Sequence, residues 1–324
     1  MHKYFTFFAF FLTFGLVAQQ SPQSSLYNFN VYDFNPAIAG IDGTLSVNGD
    51  IRRQWAGIIG APLTQSINAH IPVYLTKGGF GLSVKNFTAG VSQNIQGVLS
   101  YNQTLQLSER ALISIGISGG VAQHTFNGSQ LRTPGGTFDP PTVNHNDSQL
   151  PEFDASANAP ILNAGLIFRY DNLRLGISAD NLLESQFVLS NDQKNVVFNQ
   201  IRHYYGYASY EISLDNDLNL IPSLLIKTES ASVQTDINVS AQLSNKFMLG
   251  VGYRGYSNIS SDALIFQGGF RLNNSLFLRY AYDFGISQLK TVHSGSHELL
   301  ISYDISTNFG KGTMPQIIYN PRFL

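Results

Sequence analysis

From residue 45 onward the chain alternates between apolar and polar positions in segments of about ten residues. In 45–55, Leu45, Val47, Ile51 and Trp55 share one face, while Ser46, Asn48, Asp50, Arg52 and Gln54 share the other. In 95–107, Ile95, Leu99, Tyr101 and Leu105 oppose Gln96, Ser100, Asn102 and Thr104. Residues 111–121 set Ile113, Ile115 and Ile117 against Ser114, Gly116 and Ser118. Residues 233–243 repeat the device, with Val233, Ile237, Val239 and Leu243 against Gln234, Asp236, Asn238 and Gln242. A period of two marks strands whose faces meet different surroundings. Carried along the chain, it predicts about fourteen strands, over 45–55, 63–75, 79–87, 94–107, 111–126, 160–170, 173–180, 201–214, 218–228, 232–243, 246–255, 262–272, 276–284 and 295–305.

The connections sort by parity. Every second one is short and made of turn formers: Lys77-Gly78, Ser108-Glu109-Arg110, Asp171-Asn172, Asp215-Asn216-Asp217, Ser244-Asn245 and Asn273-Asn274. Those between are usually longer, notably 127–159, 181–200 and 285–294, and the first of these holds Pro134, Gly135, Gly136, Pro140, Pro141 and Pro151. A soluble sandwich has no reason to sort its loops this way. A transmembrane antiparallel up-and-down β-barrel does, with short periplasmic turns, long outer loops and an even strand number. The expected organisation is a barrel over 45–305, an N-terminal segment over 19–44 and a periplasmic tail over 306–324. Tyr27, Phe29, Tyr32 and Phe34 make 19–44 too apolar for a free linker, so it is expected to plug the lumen or pack beneath it in the periplasm.

Residues 1–18 stand apart. Lys3 precedes an apolar run from Phe5 to Val17, and Ala18 offers a small residue for cleavage. The run falls short of the ~20 residues of a membrane-spanning helix and reads as a cleaved signal peptide. Charged residues make up 12% of the chain, against ~25% in soluble domains, while Phe and Tyr number 23 and 16. Mean hydropathy is near zero and no later apolar stretch reaches helical span length, which excludes a helical membrane protein. Nineteen basic residues against twenty-one acidic ones leave no basic excess for nucleic acid. No cysteine is present, so burial and backbone pairing, not disulfides, must hold the exported chain.

Candidate chemistry is sparse. His70, His124, His145, His203, His293 and His297 each have Ser or Asp nearby in sequence, but no nucleophile motif surrounds any of them. His293 and His297 flank a glycine turn, a poor arrangement for metal. Asp139, Asp147, Glu152 and Asp154 lack calcium-loop spacing. The Gly-x-Gly stretches lie in strands and carry no phosphate-loop pattern. The reading is a non-enzyme with no cofactor and no metal.

Three motifs remain: Asn35-Pro36-Ala37-Ile38-Ala39-Gly40; Arg52-Arg53-Gln54-Trp55 followed by Gly60-Ala61-Pro62; and Ser294-Gly295-Ser296-His297-Glu298, with Asn320-Pro321-Arg322-Phe323 closing the chain. In this order they resemble the PorP/SprF family of Bacteroidetes, associated with type IX secretion. Arg53 stands where that family commonly has Gln, and Leu324 extends past the aromatic Phe323. The resemblance implies an outer-membrane barrel that serves secretion or gliding motility. It would retain a secreted surface protein, such as an adhesin, or that protein's C-terminal domain, or link the translocon to periplasmic rings. A passive diffusion channel for small solutes is the alternative, and a scaffold tethering rings through the two tails is a third.

Topology adds a separate expectation. Barrel closure makes the first and last strands neighbours, so Arg52, Arg53, Gln54, Trp55, Gly60, Ala61 and Pro62 meet Ser296, His297 and Glu298 at one seam near the outer rim. Parity turns Arg52, Gln54 and Glu298 to the lumen and Trp55 and His297 to lipid or its interface, where Trp55 suits an aromatic girdle. An Arg52–Glu298 ion pair is expected across the seam, with Arg53 and Asp50 as substitutes. Gly60-Ala61-Pro62 is expected to make a tight outer turn. The seam either docks a partner segment or only locks closure.

Overall fold

The computed structural model describes residues 22–306 apart from 140–142, 148–149, 191–194, 216, 230–231 and 257–259. The expected signal peptide, most of the expected periplasmic tail and the Asn320–Phe323 motif lie outside the described residues. The strands are β1 (Thr44–Arg53), β2 (Leu63–Val73), β3 (Gly78–Ala89), β4 (Ser92–Gln106), β5 (Ala111–Asn127), β6 (Asp154–Tyr170), β7 (Leu173–Asp180), β8 (Gln186–Ser190), β9 (Asn195–Asn199), β10 (His203–Tyr210), β11 (Ile212–Ser213), β12 (Leu218–Glu229), β13 (Ser232–Leu243), β14 (Phe247–Tyr256), β15 (Ser260–Arg271), β16 (Leu276–Gly285) and β17 (Ser296–Ser306).

Fourteen of these form a closed antiparallel barrel in which each strand pairs with its sequence neighbours; β10 pairs with β12, and β1 closes onto β17. Closure leaves no row of unpaired peptide groups facing hydrocarbon, the condition for any sheet that spans a membrane. The two-residue β11 extends the β12 ladder at the inner end. The strands β8 and β9 form a separate hairpin within the connection from β7 to β10. That hairpin corrects the expectation of a long loop over 181–200. Phe187 and Leu189 are buried, and Phe187 packs with Ala122, Ala159 and Ile161 on the tall ends of β5 and β6. Asp154 begins β6, so six residues expected in the outer loop are strand.

Side-chain parity follows the sequence. On β5, Ile115 and Ile117 point outward and are more than half exposed, while Ser114 and Ser118 are buried inside. On β13, Ile237 and Val239 face out, while Gln234, Asp236, Asn238 and Ser240 face in and are buried. The buried interior contradicts a water-filled lumen. Residues 22–43 fill it, passing in 3-10 turns at Tyr27–Phe29, Val31–Asp33 and Pro36–Ile38 from the outer half of the barrel to the inner end. Tyr27, Val31, Tyr32, Phe34, Ala37 and Ile38 form an apolar core with wall residues Leu112, Ile167, Tyr207 and Leu225. The described part of the N-terminal segment therefore lies in the lumen and not beneath it in the periplasm.

If Ile115 faces lipid, Ile115→Arg should destabilise the folded barrel by roughly 2–4 kcal/mol, as a charge does near the bilayer midplane. Denaturant titration of the protein folded into lipid vesicles measures this, with Ser118→Thr on the lumen side as a near-neutral control.

Candidate functional site

Three sites take shape around the plug, each on one of the sequence motifs. The outermost lies behind the seam. The pairing of β1 with β17 sets Arg52 opposite Glu298 in register, and Arg52 Nη1 lies 3.0 Å from Glu298 Oε2. The expected ion pair is therefore present, and Arg53 and Asp50 do not replace it. The sequence had not pointed to the rest of the cluster. Arg52 Nη2 also pairs with Asp283 Oδ2 at 2.6 Å. Arg254 contacts the same oxygen at 2.7 Å and Asp236 Oδ1 at 2.6 Å. These residues stand near the outer ends of β13, β14 and β16, and curvature of the wall turns them toward the seam. No motif marks them; the only signal was a charge on the lumen parity of each strand.

The cluster grips the plug. Ser25 Oγ accepts from Arg52 Nη1 and from Arg254 Nη2, both at 3.0 Å, and donates to Asp283 Oδ1 at 2.6 Å. The backbone N–H groups of Ser25 and Leu26 donate to Glu298 at 2.7 and 3.0 Å, and Ser24 Oγ donates to Glu298 Oε1 at 2.7 Å. Asn238 and Gln267 donate to the Ser25 carbonyl at 3.2 and 2.7 Å. Leu26 sits among Ile265, Ala281 and Leu300. Buried charges are tolerable when each is paired and hydrogen-bonded, and here Arg52, Arg254, Asp236, Asp283 and Glu298 are all at most 2% exposed.

The second site, at the inner half, explains the Asn35–Gly40 motif. Asn35 Oδ1 caps the third 3-10 turn by accepting from Ala37 N at 3.0 Å. Its amide donates to the carbonyls of Leu166 and Ile177 at 3.3 and 3.1 Å. Asn102 Nδ2 donates to the carbonyls of Ala37 and Ala39, and Ser114 Oγ to that of Ala37. The turn sits this close because glycine lines the wall: a Cβ on Gly165 would lie 2.0 Å from Asn35 Oδ1, and one on Gly116 2.4 Å from Ala37 N. Gly40 has φ +69, a conformation open to glycine at little cost, and its N–H donates to His70 Nδ1 at 3.1 Å. Below it, Asp42 lies 3.4 Å from both Arg169 and Arg174.

The third site is the outer surface above the seam. β1 ends at Arg53, so Gln54 and Trp55 belong to the connection 54–62. Trp55 has φ +51 and its ring packs beside His293, which corrects the expectation that it continues strand β1. His297 does face outward, against Tyr280 and Tyr282. Backbone bonds stitch 54–62 to 286–295: Ala56 N to Gly295 O at 2.7 Å and Ser294 N to Ala56 O at 2.8 Å, with Ser296 Oγ accepting from Trp55 N. Gly60 turns with φ +74, and its carbonyl accepts from Gly90 N. Ala61 N bonds to Ile58 O, and Pro62 O receives Gln54 N. The platform carries Ile59 fully exposed, with Leu289 and Val292 about half exposed. Beside the plug a polar cavity of about 40 Å³, lined by Lys85, Ser118, Asn163 and Asp180 among others, has room for a few waters and not for a solute.

The model of the type IX secretion system membrane proteins PorP/SprF matches residues 16–303. The chain belongs to the PorP/SprF family. No curated protein matches the sequence significantly. Among solved structures, this PorP/SprF chain is similar to the toluene transporter TbuX of Ralstonia pickettii, at TM-score 0.50 and 10% identity over 83% of this chain and 91% of that one. The toluene transporter TodX of Pseudomonas putida matches at TM-score 0.49 and 10% identity over 86% and 93%. At such identity the likeness to TbuX shows the outer-membrane barrel fold alone.

Two variants test the anchors of the PorP/SprF plug. Arg52→Met strips two carboxylates of their shared cation and should cost about 3–5 kcal/mol of barrel stability; thermal unfolding in detergent reads the loss. Gly165→Val should push Asn35 off the wall and admit chymotrypsin to Tyr27, Phe29, Tyr32 and Phe34, which stay uncut in the native protein.

Proposed function

We propose that this PorP/SprF barrel works by holding a secreted surface protein, or its C-terminal domain, at the outer face of the cell as part of type IX secretion. The observation that carries the reading is the filled lumen together with the platform above it. Residues 22–43 close the barrel with an apolar core and with hydrogen bonds to a buried charge cluster on the wall, so solute passage is not what the interior is built for. What the chain offers to other molecules is surface. The platform of 54–62 and 286–295 is tied to the seam by backbone bonds and still presents Ile59, Leu289 and Val292 to solvent. Exposed apolar groups on a fixed support with a polar rim suit protein contact.

The diffusion-channel reading draws on the solute transporters with similar barrels, but a likeness of fold does not carry function. Linkage to periplasmic rings would use the inner turns and the C-terminal tail, and it is compatible with an occupied outer face.

Crosslinking in native outer membranes followed by pull-down tests the proposal. It should recover a large secreted surface protein, and Ile59→Asp with Val292→Asp should cut that recovery at least tenfold without changing barrel folding. Recovery of no partner, together with steady solute conductance of the purified protein in planar bilayers, would overturn it in favour of the channel.

A further inference from the structure

The pocket behind the seam treats residues 23–26 as a peptide ligand. No backbone-to-backbone bond joins these residues to the barrel among the described contacts; the wall reaches them with side chains alone. Its groups read a bent main chain through two N–H groups and the carbonyls of Ser24 and Ser25, a hydroxyl through Ser25, and an aliphatic side chain through the slot that takes Leu26.

Two features mark the pocket as one that survives exchange of its occupant. Every charge in it keeps a partner on the barrel itself: Arg52 with Asp283 and Glu298, and Arg254 with Asp236 and Asp283, all within 3.0 Å. Removing the peptide therefore orphans no ion, the outcome that makes most buried pairs fragile. The pocket also offers more than residues 23–26 use. Asn238 Oδ1, Gln267 Oε1 and Arg52 Nε are buried with no hydrogen-bond partner. A buried polar group without a partner is a cost that a better-matched ligand would relieve. Two arginines facing three carboxylates leave one negative charge in excess, which favours a neutral or basic peptide over an acidic one.

We propose that this pocket is a peptide-binding site, held at rest by residues 23–26, that exchanges them for a segment of the secreted partner able to take the same bend and carrying a small hydroxyl residue followed by an aliphatic one. Donors on that segment would satisfy Asn238 and Gln267. The inner anchor at 35–40, locked against glycines, stays in place while the outer end swings free. The identity of the natural ligand rests on the partner-holding reading; the exchange itself does not.

The chain has no cysteine, so Ser24→Cys gives a single reporter on the full-length protein, and Pro22→Cys replaces it if that variant fails to fold. Maleimide labelling in detergent is followed with and without a synthetic peptide copying residues 22–28. A tethered segment acts at an effective concentration on the order of millimolar, so peptide at about 10 mM should raise the labelling rate at least fivefold, and the same peptide with its Ser25 equivalent changed to Asp should not. An unchanged rate with the native peptide overturns the inference. Peptide exchange without capture of a partner from membranes would leave the pocket standing and sink the partner reading; capture without exchange would do the reverse.

Discussion

A sheet in hydrocarbon cannot leave an edge open, because each unpaired peptide group there has no water to turn to. The pairing of β1 with β17 meets that condition, and most of what is distinctive in this barrel follows from its register. Setting Arg52 against Glu298 places opposite charges on the lumen side near the outer rim, where Asp283, Arg254 and Asp236 complete a buried cluster. The same two strands run up into the connections that form the outer platform. Closure, plug anchorage and the exposed surface are thus one piece of covalent and hydrogen-bonded structure, which gives the separated motifs a common physical reason to occur together.

The plug is held at its two ends by different means. At the inner end the fit is steric: wall glycines let the turn at Pro36–Ile38 lie against the strands, and Asn102, Ser114 and Asn35 use up its polar groups. A side chain larger than hydrogen at Gly116 or Gly165 has nowhere to go. At the outer end the hold is electrostatic and directional, from long side chains onto one serine and its neighbouring peptides. Between them aromatic residues supply the burial, with Tyr27, Phe34 and Tyr207 packed ring to ring. A fit of shape fixes the inner end, while paired charges and their hydrogen bonds hold the outer one.

The sequence made the barrel plain because lipid and lumen impose opposite demands on alternate residues, as at Ile115 beside Ser114 or Ile237 beside Asn238. Closure then made the Arg52–Glu298 contact deducible without any side-chain detail. Arg254 and Asp283 were hidden for a physical reason: they come to the seam along the same curved wall, from β14 and β16, strands that only barrel closure brings beside β1, and no local pattern encodes that. Buried apolar residues on the inner wall, such as Ile167, Ile265 and Leu300, look like breaks in the alternation until the plug that covers them is seen. The β8–β9 hairpin leaves little trace in the sequence because its alternation spans only five residues a side. Trp55 was placed by extending strand parity two residues past the point where the backbone turns at φ +51.

The central claim is that residues 22–43 are an integral part of the folded barrel and not a periplasmic appendage. Hydrogen–deuterium exchange on the detergent-purified protein tests it most directly. The amides of Leu26, Phe29, Asp33, Ala37 and Gly40, each donating to a carbonyl, carboxylate or ring nitrogen inside the lumen, should exchange on the slow timescale of the barrel strands. Complete exchange of that segment within seconds, while the strands remain protected, would contradict the account.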